Sequence, residues 1–194
     1  MRAVAATTLR WFWSLCGRSE FAGRVLRCIM AEILVREAVS GSDVEAVRGL
    51  MQAYGEYLAM NPNGAANICL EGYAKELQGL PNPYLVLLLA TVDGSAAGCV
   101  ALKAIASSVI PEGRACEMKR LWVDTSFRGF GLGRRLVDEA LGSARRAGFE
   151  AMYLDTVPGA MPEANRLYEA MGFKRVERYN RNPIADVVFF RISL

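Results

Sequence analysis

The chain contains no histidine. Without an imidazole, a serine or cysteine nucleophile activated by histidine is excluded, and so is a histidine-bearing zinc site. Cys-x-x-Cys pairs are missing too. The five cysteines, 16, 28, 69, 99 and 116, are widely spaced and odd in number, so they read as reduced, mostly structural thiols of an intracellular protein. No metal is expected. Long apolar runs are also lacking, and no stretch is long enough to cross a membrane. Repeats, low-complexity tracts and interdomain linkers are absent.

Charge is scarce in one sense: the formal total of +3 comes from the first 29 residues. These hold five arginines and one acid, whereas the remainder holds 18 bases and 19 acids. The body is nearly neutral. Without a basic stripe on it, nucleic acid is not an expected partner. Residues 1–29 fit either an organellar transit peptide or an over-extended start before Met30-Ala-Glu-Ile-Leu-Val-Arg36. No amphipathic period is visible, which favours the second. Arg18, Glu20, Arg24 and Arg27 interrupt the apolar stretch a secretory signal would need. The expectation is a basic extension at 1–29 and one domain at 30–194, in the cytoplasm unless the extension directs organellar import.

What is present begins with periodicity. Ile33 to Arg36 reads as a short strand, and Ser42-Asp-Val-Glu45 as a capping box before a helix carrying Val44, Val47, Leu50, Met51, Tyr54 and Leu58. Asn61-Pro-Asn-Gly64 breaks that helix, and a shorter one is expected over 70–77. Leu80-Pro-Asn-Pro83 stops it. Strands are expected at 84–90 and 97–103, joined through Asp93-Gly94, and at 115–123 and 150–156. Pro162 opens a helix that Gly172 closes, and strands near 173–178 and 187–193 end the chain.

The most informative stretch is Arg128-Gly-Phe-Gly-Leu-Gly-Arg-Arg-Leu136, between an apolar strand and an amphipathic helix. Leu132, Leu136, Val137, Ala140, Leu141 and Ala144 recur at helical spacing, with Arg134, Arg135, Asp138, Glu139, Arg145 and Arg146 opposite and Gly148 as the stop. Glycines at 129, 131 and 133 let the backbone approach a ligand, and the first helical amides favour an anion. A nucleoside triphosphate loop would need Lys-Ser/Thr after its last glycine, and a dinucleotide fingerprint a glycine at Arg134. Neither condition is met.

The remaining pattern, Arg128-x-x-Gly131-x-Gly133, resembles the coenzyme A pyrophosphate loop of the GNAT superfamily of acyltransferases. The resemblance runs from Met30 to the end. It rests also on Glu117-Met-Lys-Arg-Leu-Trp-Val123, on Tyr153-Leu-Asp-Thr156, and on Ala164-Asn-Arg-Leu-Tyr-Glu-Ala-Met-Gly-Phe173, which is similar to the superfamily's Asn-x-x-Tyr-x-x-x-Gly-Phe helix. It implies an α/β (α+β) GNAT fold, a mixed, mostly antiparallel central sheet flanked by helices. It also implies an acetyl-CoA-dependent N-acetyltransferase whose amine acceptor attacks directly in a ternary complex.

On that resemblance the pyrophosphate takes the amides of Gly129, Phe130, Gly131, Leu132, Gly133 and Arg134, with the side chains of Arg128 and Arg134 nearby. Solvated charge is an equal reading for either arginine. Backbone amides of Leu121 and Val123 orient the pantetheine arm and polarise the thioester carbonyl, and Asn165 helps hold the arm. Tyr168 donates to the leaving thiolate; the apolar stripe of Ala164, Leu167 and Met171 makes a core role its alternative. Glu117 is the expected general base, with Asp155 or a water chain as substitutes and an ion pair with Lys119 or Arg120 as the structural alternative. Tyr54, Tyr57, Tyr84 and Tyr179-Asn-Arg-Asn-Pro183 are expected to frame a small polar amine such as an amino acid, polyamine or antibiotic. A peptide acceptor, a non-catalytic acyl-CoA sensor and a homodimer stay open.

Overall fold

A computed structural model of the protein describes residues 31–60, 70–110, 113–182, 184 and 186–194. The expectations for residues 1–29, the helix breaker at 61–64, and Cys16, Cys28 and Cys69 lie outside the described residues. From Ile33 to Leu194 the chain forms one compact unit.

That unit is built on a seven-stranded sheet in the order β1-β2-β3-β4-β5-β7-β6. Its strands are β1 (Ile33–Glu37), β2 (Val86–Val92), β3 (Ser95–Ala104), β4 (Ala115–Val123), β5 (Ala151–Thr156), β6 (Lys174–Val176) and β7 (Val188–Ser193). Every neighbouring pair is antiparallel except β4 and β5, which run parallel. Among the described residues four helices flank it: α1 (Gly41–Met60), α2 (Leu70–Gly79), α3 (Leu132–Arg146) and α4 (Pro162–Ala170). The mixed, mostly antiparallel sheet expected from the sequence is present.

Local chemistry explains the framework. β2 and β3 form a hairpin whose turn residues, Asp93 and Gly94, both take positive φ, 48° and 78°, the geometry a two-residue turn demands. Alternate positions face opposite ways. Leu87, Leu89, Cys99 and Ala101 pack with Val47, Leu50 and Met51 of α1, whereas Gly98 lies beneath Leu136 of α3. The residues of α3 expected to be apolar, Leu132, Leu136, Val137, Ala140, Leu141 and Ala144, are all buried. Withdrawing a side chain such as Leu136 from water stabilises the fold by about 2 kcal/mol. Gly148, at φ 75°, ends this helix in the left-handed turn expected of it.

Two local expectations need adjusting. Helix α1 begins at Gly41, ahead of the expected capping box. Ser40 is the cap, its Oγ accepting from the Asp43 amide at 3.1 Å, while Glu45 pairs with Arg48 at 3.2 Å. Arg36 of β1 also claims Asp43 with both guanidinium nitrogens, and these hydrogen bonds hold its carboxyl down to about 2. Strand β2 starts at Val86 rather than Tyr84. The Tyr84 amide donates to the Pro81 carbonyl at 3.0 Å, which keeps that residue in the preceding turn.

Candidate active site

The site arises where the sheet fails to close. β4 and β5 pair only at Ala115↔Ala151, Cys116↔Met152 and Glu117↔Tyr153, and then separate. On the other side of β4, Lys119 pairs with Ala101 and Trp122 with Cys99. Two residues, Arg120 and Leu121, therefore oppose one, Val100. This is a β-bulge, and Arg120 adopts φ 59° within it. The alternation of the strand is broken there, and Glu117 through Leu121 all line one cavity of about 480 Å³. Its opposite wall is Asp155 to Val157 with Met161, Ala164 and Tyr168, and Asn180 to Asn182 complete it.

Glu117, 9% exposed, stands at the point of separation. Its Oε1 accepts from the Tyr179 hydroxyl at 2.8 Å and the Asn180 amide at 3.2 Å. The same Asn180 nitrogen donates to Asp155 Oδ2 at 2.9 Å, and Asn182 adds a bond of 3.1 Å to that oxygen. Lys119 sits between the carboxylates, 3.3 Å from Glu117 and 3.7 Å from Asp155. Burial opposes the charge on Asp155, but Lys119 and the two asparagine amides outweigh it and hold its carboxyl below the usual range. Burial, reinforced by Glu117 and Asp155, pushes the Tyr179 phenol well above its ordinary value. It remains a donor.

Arg120 turns the other way. Its guanidinium binds both oxygens of Glu76 on α2, at 2.8 and 2.6 Å, and lies 4.8 Å from the Tyr73 ring centroid. Tyr84 donates to the same glutamate. The strand cations thus divide between two clusters, and the ion pair expected as Glu117's alternative role is the one with Lys119.

On α4, Asn165 and Tyr168 are the buried residues. The apolar stripe expected to make Tyr168 a core residue is only half realised, because Ala164 and Leu167 are part-exposed. The Tyr168 ring packs 5.7 Å from Phe173 and 6.1 Å from Phe190 while also lining the cavity. Burial raises its phenol well above the ordinary value, so it carries a proton at neutral pH. Asn165 Nδ2 donates to the Met161 carbonyl at 2.9 Å and to Thr156 at 3.3 Å, and its Oδ1 is buried with no partner among the described residues.

The glycine loop follows β4 through a 3-10 turn at Thr125–Phe127. Gly129 and Gly131 take φ 94° and 71°, and Gly131 is the N-cap of α3 with no side-chain cap. The Arg135 amide donates to the Gly131 carbonyl at 3.3 Å. The helical amides ahead of it, of Leu132, Gly133 and Arg134, belong to the first turn, which precedes the intrahelical ladder. A Cβ on Gly131 would meet open space, and one on Gly133 would touch Leu167 of α4 at 3.4 Å. The loop therefore adjoins the helix that carries Tyr168. Arg134 is exposed and pairs with Asp138 at 3.7 Å. Arg128 stacks on Tyr57 and Trp122, 5.1 and 5.3 Å from their centroids.

Of the residues expected to frame an acceptor, Tyr54, Asn180, Arg181 and Asn182 line the cavity. Tyr179 reaches it through Glu117. Tyr57 and Tyr84 do not line it: one stacks on Trp122 at 5.0 Å, the other is fixed by Glu76. Glu76, Thr156 and Met161 were not expected to matter. Helical spacing of Tyr73 and Glu76 on α2 is the signal that marks the first; the other two carry none. Among the described residues no group of acids or cysteines is arranged to hold a metal, and no helix is long and apolar enough to cross a membrane.

This arrangement, a sheet opened between two parallel strands beside a glycine-capped helix, defines the acyltransferase fold class. An acetyltransferase of the GNAT family from Staphylococcus aureus superposes with a TM-score of 0.64 at 19% identity, covering 84% of this chain and 99% of that one. An N-acetyltransferase from Thermoplasma acidophilum, solved with coenzyme A, superposes with a TM-score of 0.60 at 16% identity, over 84% and 99% of the two chains. The chain belongs to the acetyltransferase (GNAT) family, which it matches over residues 51–173. An uncharacterised N-acetyltransferase of Schizosaccharomyces pombe is 39% identical over 58% of this chain, and the match spans 66% of that relative's length.

Proposed function

We propose that the protein is an N-acetyltransferase moving an acetyl group from acetyl-CoA to the primary amine of a small polar molecule. The carrying observation is the glycine-capped helix start beside the cleft where β4 and β5 part. The amides of Leu132, Gly133 and Arg134 suit a pyrophosphate, since they stand in the first turn of the helix, ahead of the intrahelical ladder and at its positive end. The unpartnered Asn165 Oδ1 suits an amide N–H of the pantetheine arm. Leu121 and Val123, at and beyond the bulge, offer main-chain groups for an extended arm and its thioester carbonyl.

Acetyl-CoA supplies the thioester. The acceptor enters as an ammonium and must lose a proton before its nitrogen can form the C–N bond. Glu117 is the better-placed base. The depression of Asp155 makes that carboxylate a poorer proton acceptor and a better anchor for positive charge. As the C–S bond breaks, Tyr168 gives its proton to the departing sulfur, and the second proton, lost by the acylated nitrogen as the neutral amide forms, returns to the Tyr168 oxygen. Its raised affinity for that proton keeps it a donor at neutral pH.

Calorimetry of the full chain with acetyl-CoA tests the coenzyme site. Micromolar binding is expected, abolished by Gly131→Asp, which tolerates the left-handed backbone but places a negative charge where the pyrophosphate sits. Turnover by Tyr168→Phe should fall about a hundredfold with binding retained. Absence of binding by folded wild-type protein overturns the reading.

A further inference from the structure

The charges around the cavity are unevenly matched. Among the described residues, Glu117, Asp155, Lys119, Arg120 and Arg181 are its charged lining. Arg120 is neutralised by Glu76, which lies outside the lining. Lys119 is shared by two carboxylates, so the inner floor keeps one surplus negative charge. Arg181 is exposed and lines the same cavity, and among the described residues no carboxylate pairs with it. The cavity therefore carries a negative floor and a positive rim.

From this polarity we infer that the acceptor is a small amino acid, with its ammonium on the Glu117–Asp155 floor and its carboxylate on Arg181. The inference rests on the acetyltransferase reading and narrows it. A polyamine would place a second cation beside Arg181, where like charges repel. A carboxylate there gains a guanidinium fork that binds two oxygens at once. An uncharged amide or ester at that point gains much less. Asn182 fixes the rim locally: its backbone amide accepts no slack, donating to Asn180 Oδ1 at 3.0 Å, and its side chain anchors to Asp155. The backbone of Arg181 is thus held between two residues bonded to the floor, and its side chain opens on the same cavity.

The test compares amino acids with their carboxamides and with linear polyamines in acetyl-CoA turnover by the full chain. The carboxamide keeps the size and the amine but loses the negative charge, and its amine is the easier of the two to deprotonate. A lower rate therefore reports recognition of the carboxylate. The best amino acid should exceed its carboxamide by about tenfold to a hundredfold in kcat/KM, mostly through KM. Arg181→Met should bring that ratio close to one, and Arg181→Lys should restore part of it. Polyamines or carboxamides turned over as well as amino acids, or an unchanged ratio in Arg181→Met, would overturn the inference and leave the acetyltransferase reading intact. Loss of acetyl-CoA binding in the wild-type protein would remove both.

Discussion

Lys119 and Arg120 are neighbours on one strand, and they live in opposite electrostatic regimes. Arg120 has one carboxylate, bound by two hydrogen bonds, a tyrosine ring under its guanidinium and a second tyrosine on its partner. Lys119 has two carboxylates at longer range, each also held by asparagine or tyrosine donors. The first cluster is charge-balanced and ties α2 to the bulge. The second is unbalanced and faces a cavity. The lesson is that stoichiometry, more than the presence of an ion pair, separates a strut from a binding floor.

Breaking each cluster should give unlike results. Arg120→Met leaves the half-buried Glu76 without its counter-charge, and the cost should be about 2 kcal/mol of unfolding free energy in urea melts. A loss below about 1 kcal/mol would make this pair no more than a surface contact. Lys119→Met should cost about 1 kcal/mol and act mainly on pH dependence. Asp155 is held below its ordinary value, so its stabilisation is present above about pH 4 and is lost as pH falls through its lower folded value. Removing Lys119 should raise that folded value and move the acid limb of the stability curve upward, readable by carboxyl NMR titration. An unmoved Asp155 would shift the credit to Asn180 and Asn182. Smallest should be Arg166→Gln on α4, whose partner Glu163 is 3.4 Å away with both side chains 74% exposed. A change within about 0.3 kcal/mol is expected in the same melts.

The two regions also differ in how much of them can be read along the chain. The glycine loop is contiguous: its function resides in backbone amides and in positive φ at Gly129 and Gly131, so residue type and local order reveal it. Helix α3 was legible for the same reason, since every expected apolar position is buried. The cavity floor is assembled from afar. Tyr179 is 62 residues from Glu117, and Asn180 joins two strands that diverge before reaching it. The bulge was hidden because Arg120 holds a left-handed backbone without being glycine. Ser40 displaced the expected cap because serines at 40 and 42 both precede an acid, and only the geometry chooses between them.

The separation of β4 from β5 has one more consequence. An unpaired strand edge normally invites another chain to add on, and proteins shorten or charge their outer edges to prevent it. Here one of the two outer strands, β6, is three residues long and carries Lys174 and Arg175. The parting of β4 and β5 creates a second kind of edge in the middle of the sheet. Such a cleft admits a narrow, extended molecule and refuses a whole strand with side chains on both faces. Backbone pairing capacity is thus left open at the centre of the sheet, away from its outer strands.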